Sequence, residues 1–119
     1  MGTIKNFREL DIWKKGIELV KVAYKATEKF PHHELYGLTS QMRRCAVSVP
    51  SNVAEGFRRR HPKEFKQFLN IALGSLAELE TQIIIAKELG YLKIEVDEKY
   101  IIELIDHISR MITNLLKKL

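Results

Sequence analysis

The sequence predicts an all-α protein: an antiparallel up-down-up-down four-helix bundle with a proline-kinked second helix, built as one domain over residues 1–119. Three observations carry this. Apolar residues recur at alternating spacings of three and four in four separate segments, the period of a buried helix face. Only three prolines and six glycines occur in 119 residues, too few for a loop-rich or all-β design. Apolar residues make up 45% of the chain, enough for a packed interior and far from a disordered composition.

The first segment runs from about Phe7 to Phe30. Trp13, Ile17, Val20, Tyr24 and Thr27 form one helix face, and Ile12, Leu19, Ala23, Ala26 and Phe30 lie in a row beside it. Asn6 with Glu9 three residues later matches a capping box, and Asp11 is a competing start. Pro31 closes the segment because it pushes Phe30 out of the α region. After a connection at His32–Gly37, the second helix is expected to start between Leu35 and Thr39. Its buried face is Leu38, Met42, Cys45, Val49 and Val53, and its pattern stops near Arg60.

The third helix is the clearest. Pro62 suits a first helical position, where its missing N–H is harmless. Phe65, Leu69, Ala72, Leu76, Leu79, Ile83 and Ala86 make the stripe, and Gly90 suits a left-handed cap. Phe68, Ile71, Leu73, Ile84 and Ile85 lie off the stripe, more apolar width than a lone bundle needs. The fourth helix is expected to open at Asp97, with Val96 and Ile101 as a hydrophobic staple. Ile101, Ile105, Ile108, Ile112, Leu115 and Leu119 follow, and Lys117 and Lys118 complement the helix dipole. Helices of about 20–25 residues, each about 30–37 Å long, with short connections favour the up-down arrangement.

One stretch breaks the pattern: SVPSNVAEGFRRRHPKEF, Ser48 to Phe65. Pro50 lacks the N–H that would bond the carbonyl of Ala46, a loss of about 3 kcal/mol in a helix interior. Either the helix continues with a kink or it stops near Ser48 and restarts. The in-phase spacing of Cys45, Val49 and Val53 favours the kink, with Ser48 bonding back toward the carbonyl of Arg44. Gln41, Arg44, Ser48, Asn52, Glu55 and Arg59 form a polar row. That row is either a solvated face or one that meets a subunit or ligand. Gly56 marks a close backbone approach or a frayed helix end, and both place Arg58–Arg60 at an exposed corner.

Charge is concentrated in the same place. Residues 43–66 hold seven basic groups, Arg43, Arg44, Arg58, Arg59, Arg60, Lys63 and Lys66, against only Glu55 and Glu64. The net charge is +5, and the other 95 residues balance at zero. Lys63 and Lys66 fall in the first turns of the third helix, against its dipole. A charge run is usually a solvated surface, but arginine forks also suit phosphate. The seven cations are therefore the candidate nucleic-acid contacts for RNA or DNA backbone. An acidic protein partner, bound by an adaptor without nucleic acid, is the alternative.

Other chemistry finds little support. Cys45 is the only cysteine, which excludes an internal disulfide and fits a reducing cytoplasm. Between apolar neighbours it reads as a buried thiol. His32-His33-Glu34 and His107 lack the ligand set of a metal site. The chain shows no phosphate-cradling Gly-rich loop, no HExxH and no GxSxG. No enzyme, cofactor, metal or small-molecule substrate is therefore expected. No apolar run approaches the ~18 residues of a membrane span, and the N-terminal stretch lacks a signal peptide's apolar region.

Four segments resemble the four helix bundle protein family, also called the 23S rRNA intervening-sequence proteins. They are LDIWKKG (Leu10–Gly16), YGLTSQMRRCAVSVPSNVAEG (Tyr36–Gly56), KEFKQFLNIALGSLAELETQ (Lys63–Gln82) and ELGYL (Glu88–Leu92). Ser48, Pro50, Asn52, Glu55, Gly56 and an arginine at 59 or 60 carry over as the motif residues. Arg58 and His61 stand where the family tends to have a small or polar residue and a Ser-like cap. The resemblance implies a bundle assembled as a ring-like homopentamer, encoded within or outside insertions in bacterial 23S rRNA genes. It also implies a likeness in fold to the accessory variability proteins of diversity-generating retroelements, which work with nucleic acid. The extra apolar width on the first and third helices would then be subunit contact.

Overall fold

A computed structural model describes residues 4–92 and 95–119, and the side chains of all of these except 95–97. After a 3-10 turn at Phe7–Glu9 come α1 (Asp11–Thr27), a second 3-10 turn at His32–Glu34, α2 (Leu38–Arg58), α3 (Pro62–Glu88) and α4 (Glu95–Lys118). No strand occurs among the described residues. Helix α1 packs on α2, α2 on α3, α3 on α4, and α4 back on α1. The four helices thus enclose one core in a body of 46 × 25 × 19 Å.

The stripes of α3 and α4 lie where their periodicity places them. All seven residues from Phe65 to Ala86 are buried, as are Ile101, Ile105, Ile108 and Ile112, with Leu104 added and Leu115 and Leu119 half-buried. Pro62 is the first residue of α3. Gly90 has φ +78°, and the amides of Gly90 and Tyr91 bond the carbonyls of Lys87 and Ala86. That is a Schellman closure of α3. Helix α3 is also long and apolar enough, by length and composition alone, to cross a bilayer. The helix is nonetheless interrupted by polar residues that include Asn70, Ser75, Glu78, Glu80 and Thr81. Helix α4 begins at Glu95 rather than Asp97. The proposed cap at Asp97 and its staple to Val96 lie outside the residues whose side chains are described.

On helix α1 the core takes most of the second of the two rows, with Thr27 from the first. The row that faces the core is Ile12, Gly16, Leu19, Ala23 and Thr27. Trp13, Ile17 and Val20 are only half-buried, and Tyr24 is 44% exposed. The two rows adjoin on the helix surface, and Gly16 leaves a gap in the true one that periodicity cannot weigh. Both candidate starts are used. Asn6 and Glu9 form a reciprocal capping box, but it caps the 3-10 turn, and the α-helix itself starts at Asp11.

Helix α2 continues as α-helix through Pro50. The proline ring is buried against α1 at Gly16, where an added Cβ would lie 3.1 Å from Pro50 Cβ. Ser48 does not bond back to Arg44. Its Oγ lies 2.8 Å from Ser75 Oγ on α3, and Asn52 Nδ2 donates to both its hydroxyl and its carbonyl at 2.8 Å. Eight residues after Ser48, Gly56 lets the backbone of α2 meet the start of α3. A Cβ there would stand 2.6 Å from Phe68 Cβ and 3.0 Å from the Phe65 ring.

At the other end of α2, Glu34 ties three pieces of chain together. One carboxylate oxygen accepts from the Leu38 amide at 3.1 Å, which caps α2 in place of a side chain at Gly37. The other accepts from the Tyr91 hydroxyl at 2.9 Å. These bonds, the Leu38 amide first, lower the Glu34 pKa.

Two predictions follow from this packing. Gly56→Ala should lose about 1–3 kcal/mol of stability through overpacking against Phe68, despite alanine's better helix propensity. Gly74→Ala, whose Cβ would meet nothing within 4 Å, should gain up to about 1 kcal/mol. Urea unfolding of both variants separates close approach from propensity. The second concerns acid. Native Glu34 holds its proton less tightly than unfolded Glu34, so its stabilisation is complete above the ordinary carboxylate range and disappears as pH falls through the lowered native value. Glu34→Gln should flatten that part of the acid limb in pH-dependent denaturation.

Candidate functional site

The turn between α2 and α3 is built by three arginines and a histidine. Helix α2 ends at Arg58, Arg59 is its C-cap, and Arg60 adopts φ +58°. That left-handed conformation ordinarily suits glycine or asparagine, and a side chain there adds about 1–2 kcal/mol of strain. His61 is extended and caps α3: its Nδ1 accepts from the Lys63 amide at 3.3 Å. Imidazole thus performs the role expected of a serine-like cap. Phe57 and Phe65 meet edge to face across the turn, centroids 6.0 Å apart.

The seven candidate cations do not form one cluster. Arg43 clamps α2 to α1: its Nε donates to Thr27 Oγ1 at 2.9 Å, and its guanidinium lies 4.5 Å from the Tyr24 ring centre. Arg44 is exposed on the polar row, about 21 Å along the helix from Arg58 at 1.5 Å per residue. Arg59 is taken up locally, paired with Glu55 at 3.1 Å and Glu64 at 3.9 Å, and set over Phe68. Arg58, Arg60 and Lys63 are exposed, Lys66 is half-buried, and no ion pair holds any of the four among the described residues.

Two cations that sequence reasoning left out join this end of the molecule. The 3-10 turn brings Phe7 beneath both Arg8 and Arg58, whose guanidinium carbons lie 5.5 and 5.3 Å from its ring centre. Lys5 lines a pocket with Arg58 and Arg60. Nothing in local charge density marks Lys5 and Arg8, because they are some fifty residues away along the chain. The usable signal was the Asn6–Glu9 capping box, which fixes that turn. Leu119 reaches the same corner, where it lines a pocket with Arg60 and His61.

The polar row divides as well. Ser48 and Asn52 are spent on the α2–α3 contact, Glu55 holds Arg59, and Gln41 and Arg44 are exposed. Cys45, beside this row, is buried, and burial first and the Glu78 carboxylate second push its thiol up to about 11. It is an inert core group at neutral pH. The described residues contain no cluster of three or more His, Cys, Asp or Glu placed to hold a metal ion.

A family model of 23S rRNA-intervening sequence proteins matches residues 8–114. The chain belongs to that family. No curated protein matches it significantly. The family's segments, distant along this chain, meet in space. Gly16 of LDIWKKG seats Pro50 of SVPSNVAEG, and Gly56 of that stretch admits Phe65 and Phe68 of KEFKQFL. Ser48 bonds Ser75 in the third segment. Gly90 and Tyr91 of ELGYL close α3, and Tyr91 reaches Glu34 beside the second segment. Most of the signature residues are therefore explained by packing. Arg60 and Lys63 are not, and Arg58, which stacks on Phe7, stands outside the motif residues.

Proposed function

We propose that this member of the 23S rRNA-intervening sequence family is a non-enzymatic, cytoplasmic homo-oligomer that binds the phosphate backbone of RNA or DNA. The observation that carries this reading is the cationic corner. Arg58, Arg60, Lys63 and Lys66 sit at one end with Lys5 and Arg8 beside them, and only Arg59 of the turn's arginines is neutralised by carboxylates. Exposed guanidinium forks of this kind bind phosphate bidentately. The core needs none of these charges. The single buried thiol fits a reducing compartment.

Assembly is supported by apolar surface that the core does not use. Ile71, Ile85 and Leu89 share one outward stripe of α3 and are 43–54% exposed, and Val47 of α2 is 40% exposed. A closed ring, five-membered as the resemblance implies, would cover such surface and repeat the corner around an axis. Weak phosphate contacts would then add through avidity.

Fluorescence anisotropy tests the binding. Labelled RNA and duplex DNA should bind with little sequence preference, and log affinity for duplex should fall against log salt by about 0.9 per phosphate neutralised. Arg58→Ala with Lys63→Ala should weaken binding and reduce that slope. Arg60→Gly should weaken it while preserving or raising stability, which separates lost charge from lost fold. Salt-independent binding, or none at low salt, would refute the proposal. Retention of an acidic protein after nuclease treatment would favour the adaptor reading instead.

Light scattering tests the assembly. The wild type should run at about five times the 13.9 kDa chain mass, and Ile71→Glu with Ile85→Glu should lower the mass with helical circular dichroism retained. A wild-type monomer would remove the oligomeric part of the proposal.

A further inference from the structure

Two adjoining pockets occupy the cationic corner, and they differ in chemistry. The first, about 210 Å³, has an apolar floor of Ile4, Phe57, Pro62, Phe65 and Leu119. Gly56, Arg60 and His61 complete its lining. The second, about 200 Å³, is lined by Lys5, Asn6, Phe7, Phe57, Arg58 and Arg60. Phe57 and Arg60 belong to both, so the two pockets share a wall. Each is smaller than the ~300–1,000 Å³ of a site for a drug-sized ligand, and each suits one small group.

We propose that these paired pockets bind one nucleotide unit, with the base in the apolar pocket against Phe57 and the phosphate in the cationic pocket among Lys5, Arg58 and Arg60. The inference rests on the phosphate-binding reading above and adds to it a preference for unpaired bases. The chemistry selects this occupant. The first pocket offers the exposed His61 imidazole and Arg60 guanidinium, groups on which nucleobases stack, over an apolar floor that includes the largely buried Phe57 and Phe65. At about 210 Å³ it is too small for a long acyl chain. The second pocket offers three cations and the Asn6 amide, suited to a phosphate that a carboxylate would fill less completely. A ligand spanning the shared wall must join a flat apolar body directly to an anion, as a nucleotide does.

The left-handed turn at Arg60 fits this use. Its backbone conformation sets the residue at the junction of the two pockets, where one side chain borders both base and phosphate. A duplex keeps its bases stacked and paired, so it would use the second pocket alone. A single strand would use both.

The test compares probes that differ only in their bases. Anisotropy at low salt is measured with a short single-stranded oligoadenylate and with an abasic strand of the same length and phosphate count. The intact protein should prefer the oligoadenylate on the order of tenfold. Phe57→Leu, which keeps an apolar group of similar reach in the core, should bring that ratio close to one. Ile4→Trp, at a half-buried position outside the four helices, should obstruct the first pocket and have the same effect should Phe57→Leu fail to fold.

Adenosine monophosphate serves as a competitor to separate two sources of the ligand. Full displacement of the strand identifies a free nucleotide as sufficient. Weak displacement with the base preference intact identifies a nucleotide within a strand, and both outcomes support the paired pockets. Equal affinity for the oligoadenylate and the abasic strand overturns this inference while the phosphate reading stands. Absence of binding to either strand overturns both.

Discussion

The molecule depends on two places where a side chain is missing. Gly16 lets α1 accept the ring of Pro50, and Gly56 lets α2 run against the first turns of α3 at Phe65 and Phe68. Helix α2 is thereby gripped on both sides, once at a residue that weakens its own hydrogen-bond ladder and once near its end. The Gly16 contact surrounds Pro50 with protein at the point where the helix lacks a donor. The Gly56 contact draws the end of α2 and the beginning of α3 so close that only a short turn can join them. Arg59, Arg60 and His61 are that turn. The cationic corner is thus a consequence of backbone proximity, established by core residues that carry no charge.

Charge and packing are separated within the chain. The buried stripes of α3 and α4 contain no ionised group among the described residues, whose buried polar members are Thr27, Thr39 and Gln82. Where a charged group does meet the interior it works as a clamp, as Arg43 does against Thr27 and Tyr24. Surface pairs such as Arg110–Asp106 and Lys15–Glu18 are exposed and contribute little to stability. The corner differs from these surfaces because Arg58 and Arg60 project from a tight turn beside a second cationic turn. Mutual repulsion there is unfavourable for folding, and a polyanion would relieve it.

Much of the fold was legible because its signals are local and periodic. The α3 stripe, the Pro62 start and the Gly90 closure each depend on residues within one or two helical turns. On α1 that logic left two adjoining rows, and the core takes most of the second. Gly16 contributes no hydrophobicity, yet it is a contact residue because of what it lacks. The candidate site was legible only in part for a related reason. Sequence density grouped Arg43 and Arg44 with Arg58–Arg60, although a rigid helix carries the two sets to different places. It also omitted Lys5 and Arg8, which reach the corner through the 3-10 turn. The role of Ser48 was equally non-local, since its partner Ser75 lies on another helix.

What remains at the corner is a set of choices that folding alone does not explain. A helix ending in a left-handed residue is most stable with glycine, and this chain has arginine at φ +58°. The first turns of a helix favour acidic groups, and α3 carries Lys63 and Lys66 there alongside Glu64. Each departure acts against local stability while the core a few ångströms below is closely packed. Departures of this kind, confined to one corner and all adding positive charge, are expected where the surface serves a ligand rather than the fold. Glycine at position 60 would relieve the backbone and remove the charge together. Under the proposed function, the strain at Arg60 accompanies a cation at the junction of an apolar pocket and a polar one.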